Sequence, residues 1–183
     1  MSTLNVRPRG RITVPDYTIR DEQPSDADAI ATATEDAFLG SDVPGERNEY
    51  LIAAALRDAG GLAVSLVADS AGDIIGHIAF SPITIDGQAS TWYSLGPVGV
   101  VRRYQKLGVG AALIREGLAR LRGLGAGGCV LVGHPSYYPR LGFVHPEGLV
   151  FDGIPEDVVF GMTFDGTWPQ GHVHEHPAME QFY

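Results

Sequence analysis

The most constraining feature of this chain is the junction between an apolar strand and a helix that opens with glycines, from Val98 to Leu113. Two arginines and a lysine fill the turn, and Gly108 and Gly110 follow at the start of the helix. A helix start presents backbone N–H groups without intrahelical acceptors, and glycine lets a bulky anion come close to them. The junction therefore predicts a phosphate-binding turn in a chain that mixes strands and helices.

Two familiar nucleotide-binding motifs do not account for this turn. No glycine is followed at the P-loop spacing by Gly-Lys-Ser/Thr, so a Walker-type site is excluded. A G-x-G-x-x-G pattern occurs at Gly123, Gly125 and Gly128, but it follows a helix and precedes a strand, the reverse of its context in a Rossmann fold. We interpret it as a helix-to-strand turn and keep a nicotinamide-dependent oxidoreductase only as a contrasting hypothesis.

Hydrophobic periodicity orders the remaining elements. A short strand and two helices precede three apolar strands, the glycine-led helix and further strands. The fourth strand contains Gly96-Pro97 and Gly99, and proline cannot donate to a ladder, so we expect its pairing to stop partway. The predicted ranges are strands at 17–20, 63–69, 74–83, 92–101, 129–132 and 158–164, a helix beginning near 24, and helices at 48–59 and 108–122.

Three features in order resemble the GNAT superfamily of acyl-CoA-dependent N-acyltransferases. Gln105, Gly108 and Gly110 match its Gln/Arg-x-x-Gly-x-Gly/Ala motif, the segment from Tyr138 to Phe143 resembles its Tyr-x-x-x-Gly-Phe signature, and the element order is similar. The chain further resembles a group of predicted bacterial N-acetyltransferases without an assigned acceptor. The resemblance implies an α/β (α+β) fold with a mixed, mostly antiparallel central sheet, helices on both faces, and a cleft where the fourth and fifth strands splay apart.

The resemblance also implies where acetyl-CoA, the co-substrate of the family, would bind. The pantetheine arm would lie between the fourth and fifth strands, and the diphosphate would lie on the amides that open the helix. Cationic side chains of the turn could meet the 3′-phosphate. The residues implied in cofactor binding are Val98, Val100, Arg103, Gln105, Lys106, Leu107, Gly108, Val109, Gly110, Ala111 and Tyr137.

Amine acetylation needs a base for the ammonium proton and an acid for the leaving thiolate. Tyr138 matches the family position whose phenol protonates the coenzyme A sulfur, and an unperturbed phenol pKa of about 10 is near that of a thiol. The alternative is that Tyr138 or Tyr137 only packs over the cofactor. The fourth strand carries no carboxylate, so His134 is the candidate base, with a water chain as the alternative. His77, on an apolar strand, is interpreted as a core histidine.

The resulting hypothesis is an N-acetyltransferase that moves an acetyl group from acetyl-CoA to a primary amine by direct attack in a ternary complex. A catalytically silent acyl-CoA-binding sensor or interaction module is the alternative. The acceptor is a small molecule or a peptide or protein amine, and a homodimer is left open. The expected walls of the acceptor site are the loop at 38–48, the turn at 137–138 and the carboxy-terminal tail.

Composition excludes several classes. The 183 residues include 13 Lys and Arg against 22 Asp and Glu, and this net charge of −9 argues against a nucleic-acid partner. Asp36, Asp42 or Glu46 could attract a cationic amine, although the negative charge is equally an ordinary feature of solubility. Cys129 is the only cysteine, so no disulfide framework exists. No run of about 18 apolar residues occurs, so we expect a cytoplasmic protein without a membrane partner.

The predicted domain organisation is simple. An amino-terminal extension at 1–16 precedes an acetyltransferase domain at 17–165 and a tail at 166–183. The alternation of His172, His174 and His176 would suit a metal site on an extended segment. We interpret the tail instead as an exposed segment or a flap near the acceptor, and we predict no metal.

Overall fold

The computed structural model of the chain describes residues 13, 15–39 and 49–182. Most of the predicted extension at 1–16 and the loop at 40–48, with Asp42 and Glu46, lie outside the described residues. The α-helices of the described part are α1 (Ala27–Phe38), α2 (Glu49–Asp58) and α3 (Val109–Gly123). Its strands are β1 (Thr18–Asp21), β2 (Val64–Ser70), β3 (Asp73–Ile85), β4 (Gln88–Val100), β5 (Gly128–Val132), β6 (Leu149–Val150), β7 (Val159–Thr163) and β8 (Gly171–His174).

The strands form a mixed sheet in the order β1-β2-β3-β4-β5-β7, and β8 pairs with both β3 and β6. The pairs along the main order are antiparallel except for β4 and β5, which run parallel. A parallel pair needs a crossover connection, and α3 supplies it between β4 and β5. The mixed, mostly antiparallel sheet predicted from the sequence is confirmed.

The helices cover both faces of this sheet. Successive residues of a strand point to opposite faces, and on β2 Leu66 belongs to the apolar cluster around α3 while Val67 packs with Ile30 of α1. The α3 cluster holds most of the large buried side chains, among them Phe80 and Phe160. The predicted placement of helices on both faces is therefore confirmed. Within the described part of the chain, no helix is both long and apolar enough to cross a membrane.

The segment after residue 165 belongs to the fold. His174 pairs with Thr84 of β3, and Met179 is 2% exposed in a cluster with two residues of α2. The interpretation of this segment as an exposed tail is therefore wrong, and the alternative of a flap near the acceptor stays a prediction. The alternating histidines diverge, because His172 contacts Asp152 at 3.0 Å while His176 packs against Gly61 beyond the end of the strand.

Candidate active site

The site begins where β4 leaves β5. The two strands pair only from Trp92 to Ser94 of β4, although β4 continues to Val100. On its other edge β4 pairs with β3, and here Val98 lies opposite Ile78 while Leu95 lies opposite Phe80. The step is three residues along β4 but two along β3, so β4 contains one extra residue, a β-bulge. Such a bulge bends a strand. β4 continues to pair with β3 beyond it, and the pairing that stops at Ser94 is the one with β5, as the Gly96-Pro97 pattern predicts.

The divergence opens a cleft of about 600 Å³ that runs from the gap between the strands to the start of α3. The predicted site residues that line it are Val98, Val100, Gln105, Lys106, Gly108, Gly110, Ala111, His134, Tyr137 and Tyr138. Phe38, Glu175 and Met179 also line it, and they belong to segments expected as walls of the acceptor site. The lining residues outside every predicted set are Glu49, Ser94, Leu95, Gly96, Pro97, Val132 and Gly133.

The backbone of β4 turns hydrogen-bonding groups toward this cleft. Val101 N donates to Ile75 O at 3.0 Å, so alternate residues of β4 bond to β3 and the groups of Val98 and Val100 face the opposite edge. Val100 O already accepts a 3.0 Å hydrogen bond from Gln105 Nε2. The same amide nitrogen donates to Ala37 O at 3.0 Å. The Gln105 side chain therefore ties β4 to α1. Its backbone N–H donates to Arg102 O at 3.2 Å, so the predicted part of Gln105 in cofactor binding stays a prediction.

The start of α3 has the geometry of an anion site. Gly108 adopts a φ of 94° at the N-cap, a conformation that favours glycine, and the first intrahelical bond runs from Ala112 N to Gly108 O at 3.0 Å. The amides of Val109, Gly110 and Ala111 come before that bond and have no intrahelical acceptor. A Cβ on Gly110 would lie 3.2 Å from the Tyr137 hydroxyl oxygen, so the space above these amides is narrow.

The cationic turn is only partly directed to the cleft. Lys106 lines it, but the Arg103 guanidinium lies 4.7 Å from the centre of the Tyr104 ring and borders a different cavity. The side chain of Leu107 is exposed and that of Val109 is buried in the α3 cluster, so either could act on a cofactor only through its backbone. The predicted roles of Arg103, Leu107 and Val109 stay predictions.

The two tyrosines of the turn after β5 differ in burial. Tyr138 is 8% exposed, and its ring packs edge-on to Phe143 and against Phe160 at centroid distances of 5.7 Å and 6.2 Å. Tyr137 is 38% exposed, and partial burial raises the pKa of its phenol. Packing therefore holds Tyr138 in one orientation at the cleft wall.

His134 lies in the loop that follows β5, and its hydrogen bonds identify its tautomer. The backbone N–H of Ser136 donates to His134 Nδ1 at 3.2 Å. A nitrogen that accepts a hydrogen bond carries no proton, so the neutral ring has its hydrogen on Nε2. This arrangement suits a donor better than a base, and the predicted role of His134 as the base stays a prediction.

His77 has the character expected of a core histidine. It is fully buried, and its Nε2 lies 2.8 Å from Ser65 Oγ, which in turn donates to the Glu22 carboxylate. Burial lowers the pKa of His77, against the opposing effect of Glu22. His77 Nδ1 has no hydrogen-bond partner among the described residues.

Glu175 is a carboxylate of the cleft to which the sequence analysis gave no chemical role. It follows β8 directly, and Ser94 Oγ donates to its Oε1 at 2.5 Å at the point where β4 and β5 part. The two residues are 81 positions apart, and no local motif surrounds Glu175. The only signal in the sequence was its place in a segment expected beside the acceptor.

This fold and cleft have counterparts among known proteins. The sequence profile of the Acetyltransferase (GNAT) family matches residues 27–143. The uncharacterized N-acetyltransferases YhbS and YjhQ of Escherichia coli K12 are each 36% identical to the chain, over 68% and 72% of it respectively and 72% of their own length. The chain belongs to the GNAT family of acetyltransferases.

Two solved structures extend the comparison. A GNAT family acetyltransferase from Brucella melitensis, determined in complex with acetyl-CoA, is 43% identical, with a TM-score of 0.80 over 90% of this chain and 99% of that one. YhbS of Escherichia coli in complex with CoA is 27% identical, with a TM-score of 0.82 over 96% and 98% of the two chains. The predicted fold and enzyme class, an acyl-CoA-dependent acetyltransferase, are confirmed, and so is acetyl-CoA as the co-substrate of the family.

Proposed function

We propose that this protein transfers an acetyl group from acetyl-CoA to a primary amine by direct attack within a ternary complex. The observation that carries the proposal is the cleft between β4 and β5, which ends on the glycine-led start of α3. The relative from Brucella melitensis, with a similar fold, was determined with acetyl-CoA. The strand gap suits the pantetheine arm and the helix start suits the diphosphate.

The cofactor would be held mainly by backbone groups. The amides between Gln105 and Ala111 would bind the diphosphate, and Val98 would bond the pantetheine amides together with Val100 N. Lys106 is the cationic side chain at the cleft, so it is placed to approach a phosphate. Tyr137 would cover the cofactor at Gly110.

Transfer requires a proton for the leaving sulfur. Tyr138 is assigned as that acid, because its ring is fixed by packing at the cleft wall and a phenol and a thiol have comparable ordinary pKa values. The hydrogen on His134 Nε2 makes this residue a candidate donor to the carbonyl oxygen.

The experiment combines acetyl-CoA with a panel of primary amines and measures free thiol together with the mass of the product. We expect thiol release that depends on the amine and a product heavier by one acetyl group. Tight acetyl-CoA binding without product from any amine would instead favour the silent acyl-CoA-binding module. Amine size across the panel separates a small-molecule acceptor from a peptide or protein amine. Homodimer formation and a cytoplasmic location stay predictions.

A further inference from the structure

A second cavity adjoins the cleft on the side of the carboxy-terminal segment. Its volume is about 300 Å³, at the lower end of the range for small-molecule sites. Val132, Glu175 and Met179 line both this cavity and the cleft, so these three side chains form the wall between them. A molecule in the second cavity would therefore meet the cleft across Glu175.

The second cavity is lined by apolar side chains in its buried part and by polar side chains at its exposed rim. Phe151, Ile154 and Val173 belong to one apolar cluster, in which Phe151 and Val173 are buried and Ile154 is partly buried. The rim carries Asp152 and His174, both exposed. Such a lining fits a molecule with an apolar body and a cationic end.

The position of Glu175 is fixed from two sides. Pairing of His174 with Thr84 holds the strand before it, and burial of Met179 against α2 holds the segment after it. The hydrogen bond from Ser94 Oγ then directs the carboxylate to the point where β4 and β5 part. According to the proposed function, the thioester of acetyl-CoA lies in this gap between β4 and β5.

We infer that the second cavity is the acceptor site, that it takes a primary ammonium on an apolar body, and that Glu175 is the catalytic base. This inference rests on the proposed function. The carboxylate removes a proton from the ammonium, the neutral nitrogen attacks the thioester carbonyl, and a C–N bond replaces the C–S bond. Of the three ammonium protons, one stays on the amide nitrogen, one reaches the thiol by way of the Tyr138 hydroxyl, and one passes through Glu175 to solvent.

The first test blocks the cavity without touching the cleft. Ile154→Trp fills the second cavity, and we expect the KM for hexylamine or 2-phenylethylamine to rise at least tenfold with an unchanged Kd for acetyl-CoA. Val144→Trp is the matched control, because Val144 is 53% exposed and lines neither cavity. If Ile154→Trp fails to fold by circular dichroism, His174→Trp obstructs the rim from an exposed position.

The second test concerns the proton. Glu175→Gln should lower turnover at pH 7 by about 100-fold. The deficit should shrink toward pH 10, where an alkylamine with an ordinary pKa near 10.4 loses its proton without help. The titratable groups that share the two cavities with Glu175 are Glu49, Lys106, His134, Tyr137, Tyr138, Asp152 and His174.

The outcomes separate the two proposals. Transfer by the wild type with an unchanged amine KM in the blocked variants, or a Glu175→Gln deficit that is constant with pH, would overturn the inference alone. Absence of transfer by the wild type with every amine would overturn the proposed function and this inference with it.

Discussion

The Ser94 hydroxyl donates a 2.5 Å hydrogen bond to Glu175 Oε1 and so joins the central strand of the cleft to the carboxy-terminal segment. Ser94 is 2% exposed and is the last residue of β4 that pairs with β5. A buried hydroxyl with a carboxylate acceptor restricts the orientation of the acid. The position of Glu175 at the cleft therefore depends on a contact between distant parts of the chain.

Removal of this hydroxyl should disturb catalysis more than cofactor binding. In Ser94→Ala we expect kcat to fall about tenfold, because Glu175 loses the donor that orients it, with little change in the Kd for acetyl-CoA. Ser90→Ala is the control on the same strand, since Ser90 Oγ bonds to Ile83 O and does not line the cleft. Equal loss of kcat in both variants would contradict a positioning role for Ser94.

The two adjacent tyrosines should respond differently to loss of their hydroxyls. Tyr138→Phe keeps the packed ring but removes the proposed acid, so kcat should fall at least about 100-fold with acetyl-CoA affinity unchanged. Tyr137→Phe should leave kcat within about threefold, because on the proposal its ring covers the cofactor and its hydroxyl takes no part in the transfer. Steady-state kinetics with calorimetric Kd values decide the matter, and full turnover by Tyr138→Phe would remove the acid role from that residue.

Stability of α3 depends on one glycine that faces the core. A Cβ on Gly117 would collide with the fully buried ring of Phe80. Gly117→Ala should therefore lower the free energy of unfolding by about 1–3 kcal/mol in urea denaturation, despite the better helix propensity of alanine. Gly123→Ala at the end of the same helix meets no atom within 4 Å and should be neutral or slightly stabilising. A neutral Gly117→Ala would show that Phe80 can move aside.

The cluster of Glu22, Arg57, Ser65 and His77 should make the protein less stable in acid. Burial alone would raise the pKa of Glu22, but hydrogen bonds from His77, Arg57 and Ser65 hold it well below its ordinary range, while burial lowers the pKa of His77. The unfolded chain therefore takes up a proton at residue 77 below about pH 6.5, and at Glu22 below about pH 4.5, before the folded protein does.

The free energy of unfolding should consequently fall below pH 6.5, by up to about 1.4 kcal/mol per pH unit for each proton. His77→Gln should flatten the profile between pH 6.5 and 5, and His174→Gln, which changes an exposed histidine, should not. Urea titrations at several pH values measure both. If the free energy of unfolding of His77→Gln fell with pH as steeply as that of the wild type, the His77 ring would not be responsible for the loss of stability below pH 6.5.

The parts of the fold that depend on local chemistry were accessible from the sequence. Gly96-Pro97 predicts where β4 stops pairing, because proline lacks a backbone N–H donor. Gly108 predicts the start of α3, because glycine readily adopts the positive φ that this N-cap position has. Apolar periodicity likewise gives α3 and β5 to within one or two residues.

The parts set by distant contacts were not accessible. β6 has two residues and β8 has four, too few for a periodic pattern. β8 exists because it pairs with β3 and β6, and β6 exists because it pairs with β8. Glu175 reaches the cleft through the β3–β8 pairing before it, the burial of Met179 after it and the hydrogen bond from Ser94. Gln105 was assigned to cofactor binding by its motif, whereas the bonds of its side chain to Ala37 O and Val100 O depend on the packing of α1 beside β4.

Calorimetric titration of acetyl-CoA into the wild type and two glycine variants of α3 tests most directly whether the start of this helix holds the cofactor. Gly110→Leu would fill the space below the Tyr137 hydroxyl, whereas Gly123→Leu lies at the far end of the helix in open space. We predict a clear binding heat for the wild type, a Kd at least tenfold weaker for Gly110→Leu, and an unchanged Kd for Gly123→Leu. No heat with the wild type, or equal affinity for all three proteins, would contradict the account.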